Sequence, residues 1–177
     1  MAGPISLFFT EDHDRLDALL RKAVERPGLL DRSAFDAFRA GLLRHIALEE
    51  KLLLPAARRA RAGQPLPVAG RLRIDHGAIA SLLVPTPTPE IAAEIRTILD
   101  PHNRIEEEPG GLYQVCDDLL GAEAGLLLEK ARAYPPVKVA RYNDGPGVYR
   151  RAADALAASA RQLGPGARDA PTRRSPG

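Results

Sequence analysis

Residues 45–50 read His45-Ile46-Ala47-Leu48-Glu49-Glu50, and residues 102–107 read His102-Asn103-Arg104-Ile105-Glu106-Glu107. In both, a histidine precedes a glutamate by four positions, which on an α-helix stacks the two side chains one turn apart on one face. The flanking residues say which face. Phe38, Leu42, His45, Glu49, Leu52 and Ala56 follow an alternating four-three spacing, and Ile95, Leu99, His102 and Glu106 do the same. The chain has two other histidines, each on a stripe of its own: Phe9, His13, Leu16 and Leu20, then Leu72, His76, Ile79 and Leu83. Four helices with one inward histidine each predict an all-α, antiparallel up-down four-helix bundle. His13 and His76 each follow an aspartate, Asp12 and Asp75, so the order Asp-His, His-x3-Glu-Glu occurs twice. The histidines of a pair stand 32 residues apart in the first copy and 26 in the second, a repeat of helix pairs rather than of residues.

Breakers around these stripes set the bounds. Helix one is expected from about Pro4 to Glu25, ended by Arg26-Pro27-Gly28. Helix two is expected from Ser33, its N-cap, to about Ala62, before Gly63-Gln64-Pro65. Helix three covers about Val68 to Leu83 and stops at Pro85-Thr86-Pro87-Thr88-Pro89. Helix four begins near Glu90 and runs to about Leu120, interrupted at Pro101 and at Pro109-Gly110-Gly111. A further helix, about 122–133, ends at Tyr134-Pro135-Pro136. Residues 1–134 are read as the bundle and 135–177 as a C-terminal extension. The extension reads as a loop at 142–147, a short helix near 148–162, and a last fourteen or so residues whose Gly, Pro, Arg and Ser content predicts disorder.

Bulk properties narrow the function. The 177 residues suit one domain with a sizeable core. A net charge of +2 gives no electrostatic case for nucleic acid. No apolar run approaches the roughly 20 residues that span a bilayer, so no membrane partner is expected. The opening Met1-Ala2-Gly3-Pro4-Ile5-Ser6-Leu7-Phe8-Phe9 lacks the charged start and cleavage site of a signal peptide. A single cysteine, Cys116, excludes an internal disulfide framework and fits a reducing compartment. The expected location is the cytoplasm.

Two glutamates and four histidines buried without partners would be costly, on the order of several kcal/mol per carboxylate. A dinuclear cation offsets that cost: two bridging carboxylates supply two negative charges, and the imidazoles complete each ion's shell. Mixed nitrogen and oxygen donors with open positions suit iron or manganese better than a structural zinc site. A core histidine taken alone is ordinarily satisfied by a backbone partner. One histidine per helix, with glutamate at +4 of every second one, tells against that reading here.

These residues carry a resemblance. Asp12-His13-Asp14-Arg15-Leu16, His45 to Glu50 with Lys51-Leu52-Leu53-Leu54-Pro55, Asp75-His76-Gly77-Ala78-Ile79, and His102 to Glu107 make the chain similar to the hemerythrin-like, or HHE cation-binding, domain over about residues 5–134. The resemblance implies His13, His45, His76 and His102 as terminal ligands and Glu49 and Glu106 as bridges. It implies two iron ions (Fe2+/Fe3+) with an oxo or hydroxo group as a third bridge. Oxygen-carrying hemerythrins use five histidines, three on one iron and two on the other, whereas this chain has four. It looks more like the four-histidine, two-glutamate bacterial members, including di-iron proteins linked to repair of iron–sulfur clusters under nitrosative stress. Others of the family are linked to peroxide breakdown or to oxygen and redox sensing. The expected partners are a small diatomic (oxygen, nitric oxide) or hydrogen peroxide, and an electron donor or acceptor that the sequence does not name. Whether turnover follows binding stays open, as does the oligomeric state.

Other candidates surround this set. Glu50 and Glu107 lie about 100° round from Glu49 and Glu106 and are expected at the bundle flank, with a role as added ligands the lesser reading. Tyr113, seven residues after Glu106, is nominally on the same face, where a phenolate could take the position of a missing histidine, but Pro109-Gly110-Gly111 breaks the register. Asp12 and Asp75 are expected to be exposed and salt-bridged, with a place behind the histidine ligands as the lesser reading, and Cys116 to be a small core residue. A ferritin-like carboxylate oxidase needs Glu-x-x-His, and no histidine here has Glu at −3. The zinc-hydrolase pattern His-Glu-x-x-His is also absent. The alternatives are a simple oxygen carrier or iron store, or a structural, partner-binding bundle with the Arg-rich C-terminal helix as its contact surface.

Overall fold

The structure, a computed structural model, describes residues 2–164, and every regular element among the described residues is helical. Helix α1, Pro4–Ala23, starts with proline in its first turn, where a missing N–H is not needed. Helix α2, Arg32–Leu48, is capped by Asp31, whose carboxylate accepts the Ala34 N–H at 3.0 Å. Ser33, the expected cap, already lies inside the helix. The chain continues through a π-helical turn, Glu49–Leu53, into α3, Leu54–Ala60. Helix α4 spans Ala69–Leu82 and α5 spans Pro89–Glu107, the latter capped by Thr88, whose hydroxyl accepts the Ile91 N–H at 3.3 Å. Pro101 does not interrupt α5, contrary to expectation: it removes one N–H from the ladder and the rest of the helix holds. The break comes at Pro109-Gly110-Gly111, so the expected fourth helix is two, α5 and α6 (Leu112–Leu120). A 3-10 turn, Gly121–Glu123, leads to α7, Ala124–Arg132, and α8 spans Ala152–Leu163. Apart from Gly164, the tail expected to be disordered lies outside the described residues.

Helix α1 packs on α2 and α6, and α4 packs on α5 and α8. The apolar side chains form two clusters. One gathers Ile5, Phe9, Leu48, Leu53, Leu72, Leu112, Tyr113 and Cys116; the other gathers Leu16, Leu20, Phe35, Phe38, Leu42, Ile79, Leu82 and Ile95. Phe9 and Leu16 on α1 fall in different clusters, as do Leu48 and Leu42 on α2 and Leu72 and Ile79 on α4. His13, His45 and His76 stand between those pairs in sequence, so the polar residues form a layer between two apolar clamps. Each large buried side chain contributes about 1.5–3 kcal/mol to holding that layer in place. The π turn adds a residue to the helix and moves its buried face: Leu53 is fully buried and Leu52 only partly, where the regular stripe predicted Leu52.

The stretch after α7 returns across the bundle. Tyr142 lies between the guanidinium groups of Arg32 and Arg39, at 4.1 and 4.0 Å from its ring centre, and Arg39 donates to the Ala140 carbonyl at 3.0 Å. Helix α8, which starts at Ala152 rather than near 148, lays Ala152, Ala155 and Ala158 inward. A Cβ on Gly77 of α4 would overlap the Ser159 hydroxyl of α8, so the glycine lets that side chain pack directly on the α4 backbone. The apolar face of α8 is thus taken up within the chain. No described helix is long and apolar enough to cross a membrane.

Candidate metal centre

The helical stripes bring His13 of α1, His45 of α2, His76 of α4 and His102 of α5 into the polar layer, all buried, with Glu49 and Glu106 fully buried among them. All four imidazoles turn Nε2 inward. His13 Nε2 and His45 Nε2 lie 2.9 Å apart. Each glutamate divides its two oxygens between the histidine pairs. Glu49 places Oε1 3.4 Å from His45 and Oε2 3.1 Å from His76. Glu106 places Oε2 3.5 Å from His13 and Oε1 3.2 Å from His102. Glu49, His76, His102 and Glu106 form one cluster able to hold a metal ion, and His13, His45 and Glu106 form another.

The hydrogen bonding tests whether a cation fits. Glu49 Oε2, His76 Nε2 and Glu106 Oε1 are fully buried and have no hydrogen-bond partner, although His76 Nε2 and Glu49 Oε2 approach to 3.1 Å. Close approach without a formed hydrogen bond is what donors converging on a point between them show. Buried polar atoms left unsatisfied are expensive, about 1–3 kcal/mol each, and a cation removes that cost. The donor set fits a metal.

Behind the imidazoles stands a second set of carboxylates. His45 Nδ1–H donates to Asp12 Oδ2 at 3.0 Å and His76 Nδ1–H to Glu50 Oε1 at 2.8 Å. His13 Nδ1 bonds the Glu107 carboxylate, and Asp75 Oδ2 lies 3.5 Å from His102 Nδ1. The four contacts form a closed ring over the two sequence copies: each aspartate serves the second histidine of its own copy, and each second glutamate serves the first histidine of the other. At His13, His45 and His76 the carboxylate bonded to Nδ1 fixes the tautomer that leaves the Nε2 lone pair free, while His102 Nδ1 has Asp75 near it without a formed hydrogen bond. Asp12 and Asp75 form the expected salt bridges, to Arg15 and Arg71, but are 16 % and 0 % exposed rather than surface residues, and the lesser reading, a place behind the histidines, is the one the structure shows. Asp75 is further fixed by Arg71 Nε at 2.9 and 3.0 Å. Glu50 and Glu107, 25 % and 35 % exposed, do sit at the flank, but they are bonded to the imidazoles there. The repeated Asp before His and Glu after Glu marks these four carboxylates as a set, but which histidine each one meets is decided by helix packing.

Tyr113 enters the same layer. Its hydroxyl donates to Glu49 Oε1 at 2.7 Å and lies 3.2 Å from Glu106 Oε2. Cys116, as expected, is a buried core residue, and burial pushes its thiol up to about 12. Charge is strongly redistributed in the layer. Burial pushes the Glu49 carboxyl up, but the His45 and His76 imidazoles outweigh it and hold it well below the ordinary carboxylate range. Burial and then the Glu49 charge raise Glu106, beyond what His102 and His13 pull back. Burial alone would lower the histidines. The Glu49 charge and the Asp12 bond instead lift His45 to about 10, Glu49 and Glu50 lift His76 to about 9, and Asp75 and Glu106 lift His102 to about 9.

Residues 5–109 match the family model described as Hemerythrin HHE cation binding domain, a stretch that contains all six converging side chains and ends four residues before Tyr113. No curated protein and no solved structure matches the chain. The match covers more than half of the 177 residues, and with the helical bundle and its inward histidines and glutamates it shows that the chain belongs to the hemerythrin HHE cation-binding domain family.

Proposed function

We propose that His13, His45, Glu49, His76, His102 and Glu106 hold two iron ions, one at each histidine pair, bridged by the two carboxylates and by an oxo or hydroxo group. On this reading the protein binds or reacts with oxygen, nitric oxide or hydrogen peroxide in sensing or in the response to redox or nitrosative stress. The observation that carries it is the division of each glutamate, with one oxygen toward each histidine pair. Iron there supplies a redox couple and an open coordination position for a small ligand. The chain's own residues do the rest. The carboxylates at Nδ1 orient the imidazoles, and the two apolar clusters exclude bulk water. A cavity of about 30 Å³ lies beside His13, lined also by Leu16, Leu42, Asp17, Arg96 and Asp100. At about 10–15 Å³ per water, that volume suits a guest the size of about two or three waters.

Metal analysis tests the proposal. Protein purified from iron-replete cells is expected to carry close to two irons per chain, with near-ultraviolet absorption of an oxo bridge when oxidised. Stoichiometric zinc, or no metal after anaerobic reconstitution with ferrous iron, sinks it.

A further inference from the structure

We propose that Tyr113 is a seventh protein donor to this centre, a phenolate on the His13/His45 side, so that the two metal positions are chemically different. The inference rests on the two-metal reading above and assigns a residue outside the family match, which ends at residue 109.

The position of the hydroxyl carries it. Tyr113 is fully buried, and its oxygen lies 2.7 Å from Glu49 Oε1, 3.2 Å from Glu106 Oε2, 3.2 Å from His13 Nε2 and 3.3 Å from His45 Nε2. A phenol has one proton and can satisfy one acceptor fully. Four donor atoms around one oxygen is more than a hydrogen bond needs. The remaining contacts run His13 to His45 at 2.9 Å, His45 to Glu49 at 3.4 Å and Glu106 to His13 at 3.5 Å. With metal–ligand bonds of about 2.0–2.1 Å, neighbouring donors of an octahedral shell stand about 3 Å apart. The seven distances fall around that value. Tyr113 touches all four of the others, so a cation held among them would lie within reach of its oxygen. Its polar contacts reach His13 and His45, and none of them reaches His76 or His102.

The surroundings hold the ring in this place. Phe9 stacks on it at 5.0 Å with an interplanar angle of 20°. The backbone that brings it there is specific to Pro109-Gly110-Gly111. Gly110 takes φ +79°, a left-handed conformation that favours glycine, and a Cβ on Gly111 would stand 2.7–2.8 Å from the carbonyl oxygens of Ile105, Glu106 and Glu108. Helix α6 therefore starts within five residues of the end of α5 and returns Tyr113 to the level of Glu106.

The step balances simply. The Tyr113 O–H bond breaks, the phenolate oxygen bonds the metal, and the proton leaves to solvent, with no change of oxidation state. The result is three terminal side chains on one ion and two on the other.

Loading the full chain with iron and oxidising it separates the claims, because iron content and colour are read independently. The expected result is two irons per chain with a visible phenolate-to-iron charge-transfer band, and resonance Raman excitation in that band should enhance tyrosinate ring modes. Tyr113→Phe, which removes one oxygen and keeps the ring, should retain two irons and lose the band. If that variant fails to fold or load, the Raman modes of the unsubstituted protein decide alone. Two irons without band or modes, or a band that survives in Tyr113→Phe, overturns the assignment and leaves Tyr113 as a hydrogen-bond donor to Glu49. Failure of the unsubstituted protein to take up iron defeats the two-metal reading itself, and this inference with it.

Discussion

At the scale of the residue, adjacent glutamates stand in different surroundings. Glu49 and Glu106 are fully buried and face both histidine pairs, while Glu50 and Glu107 reach the outer nitrogens of His76 and His13 from the flank. On the two-metal proposal, Glu49 and Glu106 would each belong to both metal positions, whereas Glu50 and Glu107 would only orient a ligand. Glu49→Ala or Glu106→Ala should therefore lose both irons or leave a mononuclear remnant. Glu50→Ala and Glu107→Ala should keep most of the metal and lower its affinity about 10–100-fold. Iron stoichiometry with competitive chelation measures both, and the reverse pattern would mean that the helical face is assigned wrongly. The inward six were legible because four-residue spacing and an apolar stripe fix a face within one helix. The partners of the outer nitrogens were not. Asp12 meets His45 and Glu50 meets His76 only through the relative rotation of two packed helices, which spacing within either helix does not determine.

At the scale of the element, irregular backbone decides what regular periodicity cannot. The stripe of α2 predicted Leu52 inside; the π turn at Glu49–Leu53 puts Leu53 there instead. Pro101 was expected to break α5 and does not, because one lost hydrogen bond is outweighed by the packing of the rest of the helix. The stop at Pro109-Gly110-Gly111 was legible, but the return path of α6 was not, since it depends on the backbone torsions of two glycines. Gly111 is where that path can be tested. Its Cβ would meet three backbone carbonyls that have no freedom to move aside, so Gly111→Ala should destabilise by about 1–3 kcal/mol. That corresponds to a fall in Tm of about 2–4 °C per kcal/mol. Gly125 of α7 has no neighbour within 4 Å of such a Cβ, and Gly125→Ala should be neutral or gain up to about 1 kcal/mol from helix propensity. Calorimetry on the two variants compares them directly; an equal effect at both positions would remove the special role of the turn.

At the scale of the whole molecule, the bundle is two apolar clusters joined through a layer of ionisable groups, and its stability depends on what neutralises that layer. Without bound metal, His45 titrates at about 10 and His76 and His102 at about 9, against an ordinary value near 6.5. A raised folded-state value means that the imidazolium–carboxylate pairs contribute in full below pH 6.5 and that their contribution is lost as pH rises through 9 to 10. Metal binds the neutral imidazole, so at pH 6 it must displace those protons, and at higher pH it meets less competition. Both effects run the same way. The metal-free protein should lose stability with rising pH while metal affinity increases, so the stabilisation conferred by iron should grow between pH 6 and pH 8.5. A ligand at a hundred times its dissociation constant adds about 2.7 kcal/mol per site, or about 5–10 °C in Tm for a chain of this size. Calorimetry under anaerobic conditions, with and without ferrous iron at a fixed free concentration, gives that difference at each pH. An iron-induced shift that is flat or shrinks toward alkaline pH would mean that the histidines of the metal-free layer are already neutral at pH 6. Metal would then displace no net proton between pH 6 and pH 8.5.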